Sequence, residues 1–252
     1  MTDERELIKK RFIELAKRSQ SSDIFTFSDF LGLSEQSALE ELRNEIFGIK
    51  YTLFGGVSGA ERVMVRFGDE SEFGYELPFP IATLKLSPVS EKFAERLTHR
   101  DYLGAILNLG IERSVIGDIV IKECGAYVFV KESIAEYLLK ELTRVRRTDI
   151  KAIAVECIPD GELYKTERKR IQLSSERLDA AVAKVFNLSR EQAQRLFAKG
   201  FVFASGKEIT SHSYTPKADE LISVRGHGRF IYRGFESNTR RGKLNIIVDV
   251  FV

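Results

Sequence analysis

Few side chains in this chain of 252 residues could do covalent chemistry. It holds three histidines, His99, His212 and His227, two cysteines, Cys124 and Cys157, and no tryptophan. Two cysteines cannot build a disulfide framework or a cysteine-rich zinc site, so both are read as buried or turn residues. The histidines are scattered, and no Cys–His or Ser–His–Asp arrangement can be assembled around them. His99-Arg100-Asp101 matches a triplet found in phosphoryl-transfer enzymes. The Gly-rich loop, strand lysine and Asp-Phe-Gly which that chemistry needs do not accompany it. His99 and Asp101 are therefore expected to cap or brace a helix start. Gly55-Gly56-Val57-Ser58-Gly59 lacks the Lys-Ser/Thr pair of a phosphate loop and reads as a flexible hairpin loop. No catalytic residue, metal ligand or cofactor is expected.

The charges say more. From Lys165 to Lys243 there are 17 basic and 8 acidic residues, a net of +9, whereas Met1 to Tyr164 carries 22 against 28. A basic segment beside an acidic one fits a polyanion-binding module on a neutral chassis; the alternative is a solvated charged surface. Hydrophobic residues make up 43% and charged residues 30%, which suits a globular chain. No apolar run approaches the roughly 20 residues of a membrane span. Met1 to Arg5 leads into an amphipathic stretch without an apolar signal core, so a cytoplasmic location is expected.

The basic segment has readable local structure. Leu178, Ala181, Val182 and Val185 form one buried helical stripe. Ser189 caps a second helix with Gln192 as its reciprocal partner, and Gly200 closes it before the strand Phe201 to Ala204. Ala193, Leu196 and Phe197 form the buried side of this second helix. Ser205-Gly206 turns the strand back, and Leu221 to Arg225 supplies a later one. On the solvent side, Arg190 and Gln194 stack at i, i+4, as do Arg195 and Lys199, with Arg177 at the start of the first helix. Guanidinium forks on such a face grip phosphates. Arg177 could instead pair with a carboxylate. In Gly226-His227-Gly228-Arg229-Phe230, Arg229 and Phe230 could clamp a nucleotide, or the segment could be a turn with Phe230 in the core. Lys140, Arg144, Arg146 and Arg147 are read as a solvated helix end. Arg100 is a further candidate for an RNA contact.

Upstream, helices are expected over 3–18 and from Ser34 to Gly48, the latter with Leu39, Leu42, Ile46 and Phe47 on one face. Thr26 to Leu31 reads as a packed turn. Lys50 to Phe54 and Arg62 to Phe67 flank the glycine loop as a hairpin. From Leu77 the order is strand, helical regions from Ser90 and from about Asp101, a hairpin (Gly117 to Lys122 and Ala126 to Lys131, across Cys124-Gly125), a helix from Ser133 to Arg144, and a strand from Val145 to Ile158. That order suits an antiparallel sheet with helices on one face, a ferredoxin-like or RRM-like plan. Tyr127 and Phe129 share one strand face and are read as core. Pro159-Asp160-Gly161 marks a domain boundary.

Residues 174–203, with Arg177-Leu178-Asp179, Ser189-Arg190, Gln194, Leu196, Gly200, Val202, Gly206 and the closing Ile222 to Gly226 stretch, resemble the S-four-type RNA-binding domain. Ser205 stands where that family often has Asn; either residue serves a turn. His99 to Ile119 and Val224 to Phe230 resemble the bacterial YlmH family, and the likeness runs over nearly the whole chain. The resemblance implies an α+β protein in three parts: an N-terminal helical and strand part over 1–76, an RRM-like middle domain over 77–160 and an S-four-type domain over 165–252. It implies a monomeric, non-enzymatic factor. Its partners would be large-subunit ribosomal RNA and peptidyl-tRNA, in rescue or quality control of stalled translation, with no DNA preference and no membrane. The expected RNA contacts are Arg177, Ser189, Arg190, Gln194, Arg195, Lys199, Lys207, Arg225 and Arg229. Two other classes stay open. One is an RNA-modifying enzyme, a pseudouridine synthase or methyltransferase accessory, although residues 1–160 show neither catalytic set. The other is a cell-division-linked interaction scaffold that docks through the acidic half.

Overall fold

Apolar spacing of three to four residues in some segments and of two in others yields helices and strands in nearly equal measure, and the fold is α+β. The structure is a computed structural model that describes residues 2–122, 125–156, 164–239 and 242–251. Cys124, Cys157 and the Pro159-Asp160-Gly161 boundary lie outside the described residues. The chain divides into two compact units, Met1–Leu163 and Tyr164–Val252.

The first unit begins with α1 (Thr2–Ser22), β1 (Thr26–Phe27), α2 (Leu33–Glu41), β2 (Tyr51–Phe54), β3 (Met64–Phe67) and α3 (Glu70–Phe73). The three strands form an antiparallel sheet in the order β1-β3-β2. Phe12 and Ala16 of α1 pack with Leu39, Leu42, Ile46, Val65 and Phe67. The cap of α2 is Gly32 and not Ser34, because the Glu35 carboxylate reaches back to accept the Gly32 N–H at 2.6 Å. Phe47 also departs from expectation. The α-helix gives way to a 3-10 turn at Leu42–Asn44, the helical period is lost, and Phe47 is left 89% exposed.

A second sheet follows, built from β4 (Ile81–Pro88), α4 (His99–Leu107), β5 (Ile116–Lys122), β6 (Gly125–Lys131), α5 (Glu132–Glu141), β7 (Arg144–Val145) and β8 (Thr148–Val155). Its order is β5-β6-β4-β8-β7, antiparallel throughout. One face, with Leu84, Leu86, Val128, Val130 and Ile150, packs on Tyr102 and Ile106 of α4 and Leu138 of α5. The region from Ser90 forms only a single 3-10 turn, Glu91–Phe93, and α4 starts at His99 behind the cap Thr98. The helix expected to reach Arg144 stops at Glu141. Arg146 takes a left-handed φ of 53°, so it and Arg147 form the turn of the β7–β8 hairpin and not a helix end.

The second unit contains β9 (Thr166–Leu173), α6 (Leu178–Val185), α7 (Arg190–Ala198), β10 (Val202–Ala204), β11 (Lys207–Glu208), β12 (Glu220–Val224), β13 (Gly228–Asn238) and β14 (Leu244–Phe251). One six-stranded sheet runs β11-β10-β12-β13-β14-β9. Leu178, Ala181 and Val182 of α6 and Ala193 and Phe197 of α7 are buried against its Ile222, Phe230, Ile246 and Val248. Ser205 and Gly206, both at positive φ, make the tight β10–β11 turn.

Candidate nucleic-acid interface

The interface is built around one buried acid. Asp179, in the first turn of α6, is fully buried. Arg177, the residue at the helix cap, forks onto it with Nε and Nη2 at 3.0 and 2.8 Å. From α7, Gln194 Nε2 donates at 3.3 Å, and Arg190 Nε stands at 3.9 Å. Burial alone would raise the Asp179 pKa. The hydrogen bonds from Arg177 and Gln194 outweigh it and hold the carboxyl below its usual range. A single carboxylate therefore ties the start of α6 to the first turns of α7.

The start of α7 is set by local sequence. Ser189 Oγ accepts the Gln192 N–H at 3.1 Å, and the Gln192 side chain accepts the Ser189 N–H at 2.8 Å. The first N–H groups of the helix lack intrahelical partners and carry its positive dipole end. Arg190 lies beside them with its side chain 66% exposed. One turn on, Arg195 is also exposed and pairs with Glu191 at i, i+4; Lys199, at the C-cap, is exposed. Arg190, Arg195 and Lys199 thus form a basic solvent face backed by an apolar one.

The other expected contacts are distributed differently. Ser189 is occupied as a cap. Gln194 is half-buried and turned toward Asp179, and Arg177 is bound to that same carboxylate. Lys207 is exposed on β11. Arg225 is exposed at the end of β12, its guanidinium 5.4 Å from the Phe201 ring centroid and 6.0 Å from that of Phe203. Arg229 is only 8% exposed and lies 4.4 Å from the rings of both Tyr164 and Phe251. Phe230 is fully buried in the core beside Phe186. The clamp envisaged for Arg229 and Phe230 is therefore not presented to solvent, and the Gly226 and Gly228 segment is a turn between strands.

In the first unit, Asp101 completes a capping box by accepting from Thr98 N and Oγ1 at 2.8 and 2.7 Å. Arg100 is exposed. The glycine loop does more than join strands: a Cβ on Gly56 would stand 2.4 Å from Phe129 Cδ1. The loop thus lies on the face of the second sheet turned away from the helices, and Phe129 is fully buried. Asp118 secures the same junction by accepting from Glu61 N and Arg62 N at 2.7 and 3.0 Å, and the Arg62 guanidinium donates to the carbonyls of Ile116, Phe30 and Arg113. Among the described residues no cluster of His, Cys, Asp and Glu could hold a metal ion. None of their helices is long and apolar enough to cross a membrane.

Sequence reading did not single out Asp179 as the organiser. Its signal was present as the acid two residues after Arg177, but only the helix–helix contact shows that Gln194 and Arg190 converge on it.

Fold and charge define a class: a mixed α+β protein whose second unit displays a capped, basic helix face suited to a polyanion. Residues 77–158 match a family model described as "Putative RNA-binding domain in YlmH". A relative described as "Ribosome-associated protein quality control protein P2", from Bacillus subtilis (strain 168), is 27% identical over 252 residues, covering 98% of this chain and 95% of that protein. A solved structure described as "Cell division protein ylmH from Streptococcus pneumoniae" is 23% identical, with a TM-score of 0.49, and covers 60% of this chain and 91% of that one. The family model and the Bacillus subtilis relative bear out the resemblance to the YlmH family read from the sequence.

Proposed function

We propose that this protein is a non-enzymatic RNA-binding factor that docks on ribosomal RNA of the large subunit, with peptidyl-tRNA as a second ligand, in rescue or quality control of stalled translation. The observation that carries this reading is the exposed basic face of α7, Arg190, Arg195 and Lys199, at a capped helix N-terminus. Phosphates are gripped there without base reading, by charge and by free backbone N–H groups. The full-length relative named for ribosome-associated quality control supports the choice of partner and a cytoplasmic site of action. The family model over 77–158 supports RNA as the ligand class.

The architecture supports the same reading. The strand order β8-β4-β6-β5, with α4 and α5 on one face, fits the RRM-like plan for residues 77–160. The helix pair α6–α7 against the six-stranded sheet fits the S-four-type plan for 165–252. Lys207 on β11 and Arg225 after β12 are exposed basic residues of the same unit and are proposed as further phosphate contacts. Arg177 and Gln194 serve RNA indirectly, through Asp179.

The test is ribosome co-sedimentation of the full chain beside thermal melting. Arg190→Ala and Arg195→Ala each remove an exposed charge and should melt as wild type. A charged hydrogen bond is worth about 1.5–3 kcal/mol, so each should weaken binding about ten- to hundredfold. Unchanged co-sedimentation of both variants would exclude this face.

A further inference from the structure

We infer that the first unit binds an extended, basic segment of a partner protein as an added strand on the free edge of β2. The inference stands apart from the RNA-binding reading and uses none of its residues.

Backbone register defines the edge. The N-terminal sheet runs β1-β3-β2, so β2 pairs on one side only. The Gly68 N–H donates to the Lys50 carbonyl at 2.9 Å. In an antiparallel pair the bonded residues alternate, so Thr52 and Phe54 also bond toward β3. The N–H and C=O groups of Tyr51 and Leu53 then point the other way, off the sheet. No backbone hydrogen bond among the described residues engages them. Exposure agrees: Thr52 is exposed and Leu53 is 38% exposed. Alternate free donors and acceptors along a strand edge are what an incoming strand pairs with.

The edge opens onto a groove of about 610 Å³, walled by Glu40 at the end of α2 and Arg43 in the turn after it. Ile49 also lines a smaller pocket of about 210 Å³ where α1 ends, together with Gln20, Asp23 and Glu72. An extended chain of about five or six residues, roughly 17 Å long, matches the run of β2 from Leu53 back to Gly48.

Charge selects the occupant. The C-terminal end of α1 carries the negative end of its dipole, and its last turn holds no basic residue. Asp23 follows it, exposed and without an ion pair among the described residues. Along the groove, Arg43 is matched by Glu40 at 3.3 Å, and Lys50 is shared between Asp69 at 3.1 Å and Glu72 at 3.4 Å. The surplus is negative, as it is over Met1 to Tyr164 as a whole. Such a surface repels a nucleic-acid backbone and a second copy of this acidic unit, and it attracts Lys or Arg side chains. The occupant is therefore a segment whose middle pairs with Tyr51 and Leu53 and whose Lys or Arg enters the pocket beside Asp23 and Glu72.

The experiment uses the full chain and three fluorescein-labelled peptides of about ten residues. One alternates Val and Thr between Arg-Arg ends, one has Glu in place of each Arg, and one is the Arg peptide with Pro at its central positions. Anisotropy should show the Arg peptide binding, the Glu peptide at least about tenfold weaker and the Pro peptide not binding. Amide hydrogen exchange locates the contact: the Arg peptide should slow the Tyr51 and Leu53 amides, while Thr52, already bonded to β3, changes little. Leu53→Pro deletes an outward N–H and no bond to β3, so it should melt as wild type and lose about tenfold or more in peptide affinity. Asp23→Asn/Glu72→Gln should also melt as wild type and weaken the Arg peptide several-fold, most at low salt. If Leu53→Pro melts early, the exchange pattern and the charge pair decide. The inference falls if the Arg peptide does not bind, if it binds without slowing Tyr51 and Leu53, or if a folded Leu53→Pro or the charge pair keeps wild-type affinity. Slowing of the same amides by single-stranded RNA, or by raised protein concentration alone, would assign the edge to nucleic acid or to a second copy and equally overturn it.

Discussion

Replacing Asp179 with alanine should unfold the second unit far more readily than any change on its basic surface. The acid is fully buried and receives two hydrogen bonds from Arg177 and one from Gln194, with the Arg190 charge 3.9 Å away. Breaking a buried ion pair by removing one partner costs about 3–5 kcal/mol, because the other charge is stranded. The Arg177 side chain keeps 30% of its exposure, and water can recover part of that loss. A loss of about 2–4 kcal/mol is expected, which lowers the melting temperature of a unit this size by roughly 10–25 °C. Asp179→Asn keeps an acceptor without the charge and should fall about midway. The pH dependence has a definite sign. The native pKa of Asp179 is depressed, so its contribution is fully present above about pH 4 and is lost as pH falls through the native value. The gap between wild type and Asp179→Ala should therefore be wide at neutral pH and narrow in acid. Circular dichroism melts at several pH values measure it. A variant that melts with wild type, or a gap that does not move with pH, would refute the role assigned to this carboxylate. Arg177→Ala should also melt early, unlike Arg190→Ala, because it leaves the Asp179 charge buried without its fork.

Two further outcomes follow from the same kind of geometry. Arg62→Ala removes donors from the carbonyls of Ile116, Phe30 and Arg113 and should destabilise the first unit by about 2–4 kcal/mol, read as a lower melting temperature with RNA affinity per folded molecule unchanged. Asp249 is held at a pKa of about 2 by hydrogen bonds from Arg168 and Arg233, which outweigh its burial. Its contribution should be complete above about pH 4 and fade toward pH 2, worth about 1–2 kcal/mol once the exposure of Arg168 is discounted; Asp249→Asn should abolish that part of the acid sensitivity in denaturant titrations.

Features that depend on neighbours within a turn or two were legible in the sequence. The Ser189–Gln192 capping box, the buried stripe of α6, the Ser205-Gly206 turn and the glycine-loop hairpin all stand where their residues indicated. Each is decided by interactions spanning a few residues, whose types alone fix the geometry. The charge asymmetry was equally plain, since it needs only counting. Where local signals competed, reading erred by small amounts: Glu35 moved the cap of α2 to Gly32, and a left-handed Arg146 turned an expected helix end into a hairpin.

Long-range contacts decided the rest. Strands β9 and β14 pair residue for residue from Thr166–Phe251 to Leu173–Leu244, and no local pattern announces a partner so distant in the chain. The same limit governs the site. Spacing put Gln194 and Arg190 on one row, but the packing of α7 on α6 turned the amide inward to Asp179 and left the guanidinium outward. The sequence left Arg229 open between a surface clamp and part of a turn; Tyr164 and Phe251, from opposite ends of the second unit, enclose it and decide for the turn. Sequence by itself determined which residues could meet a phosphate. Tertiary structure determined which of them still can, because a polar side chain within reach of a buried carboxylate or between two rings is held by those partners before any ligand arrives.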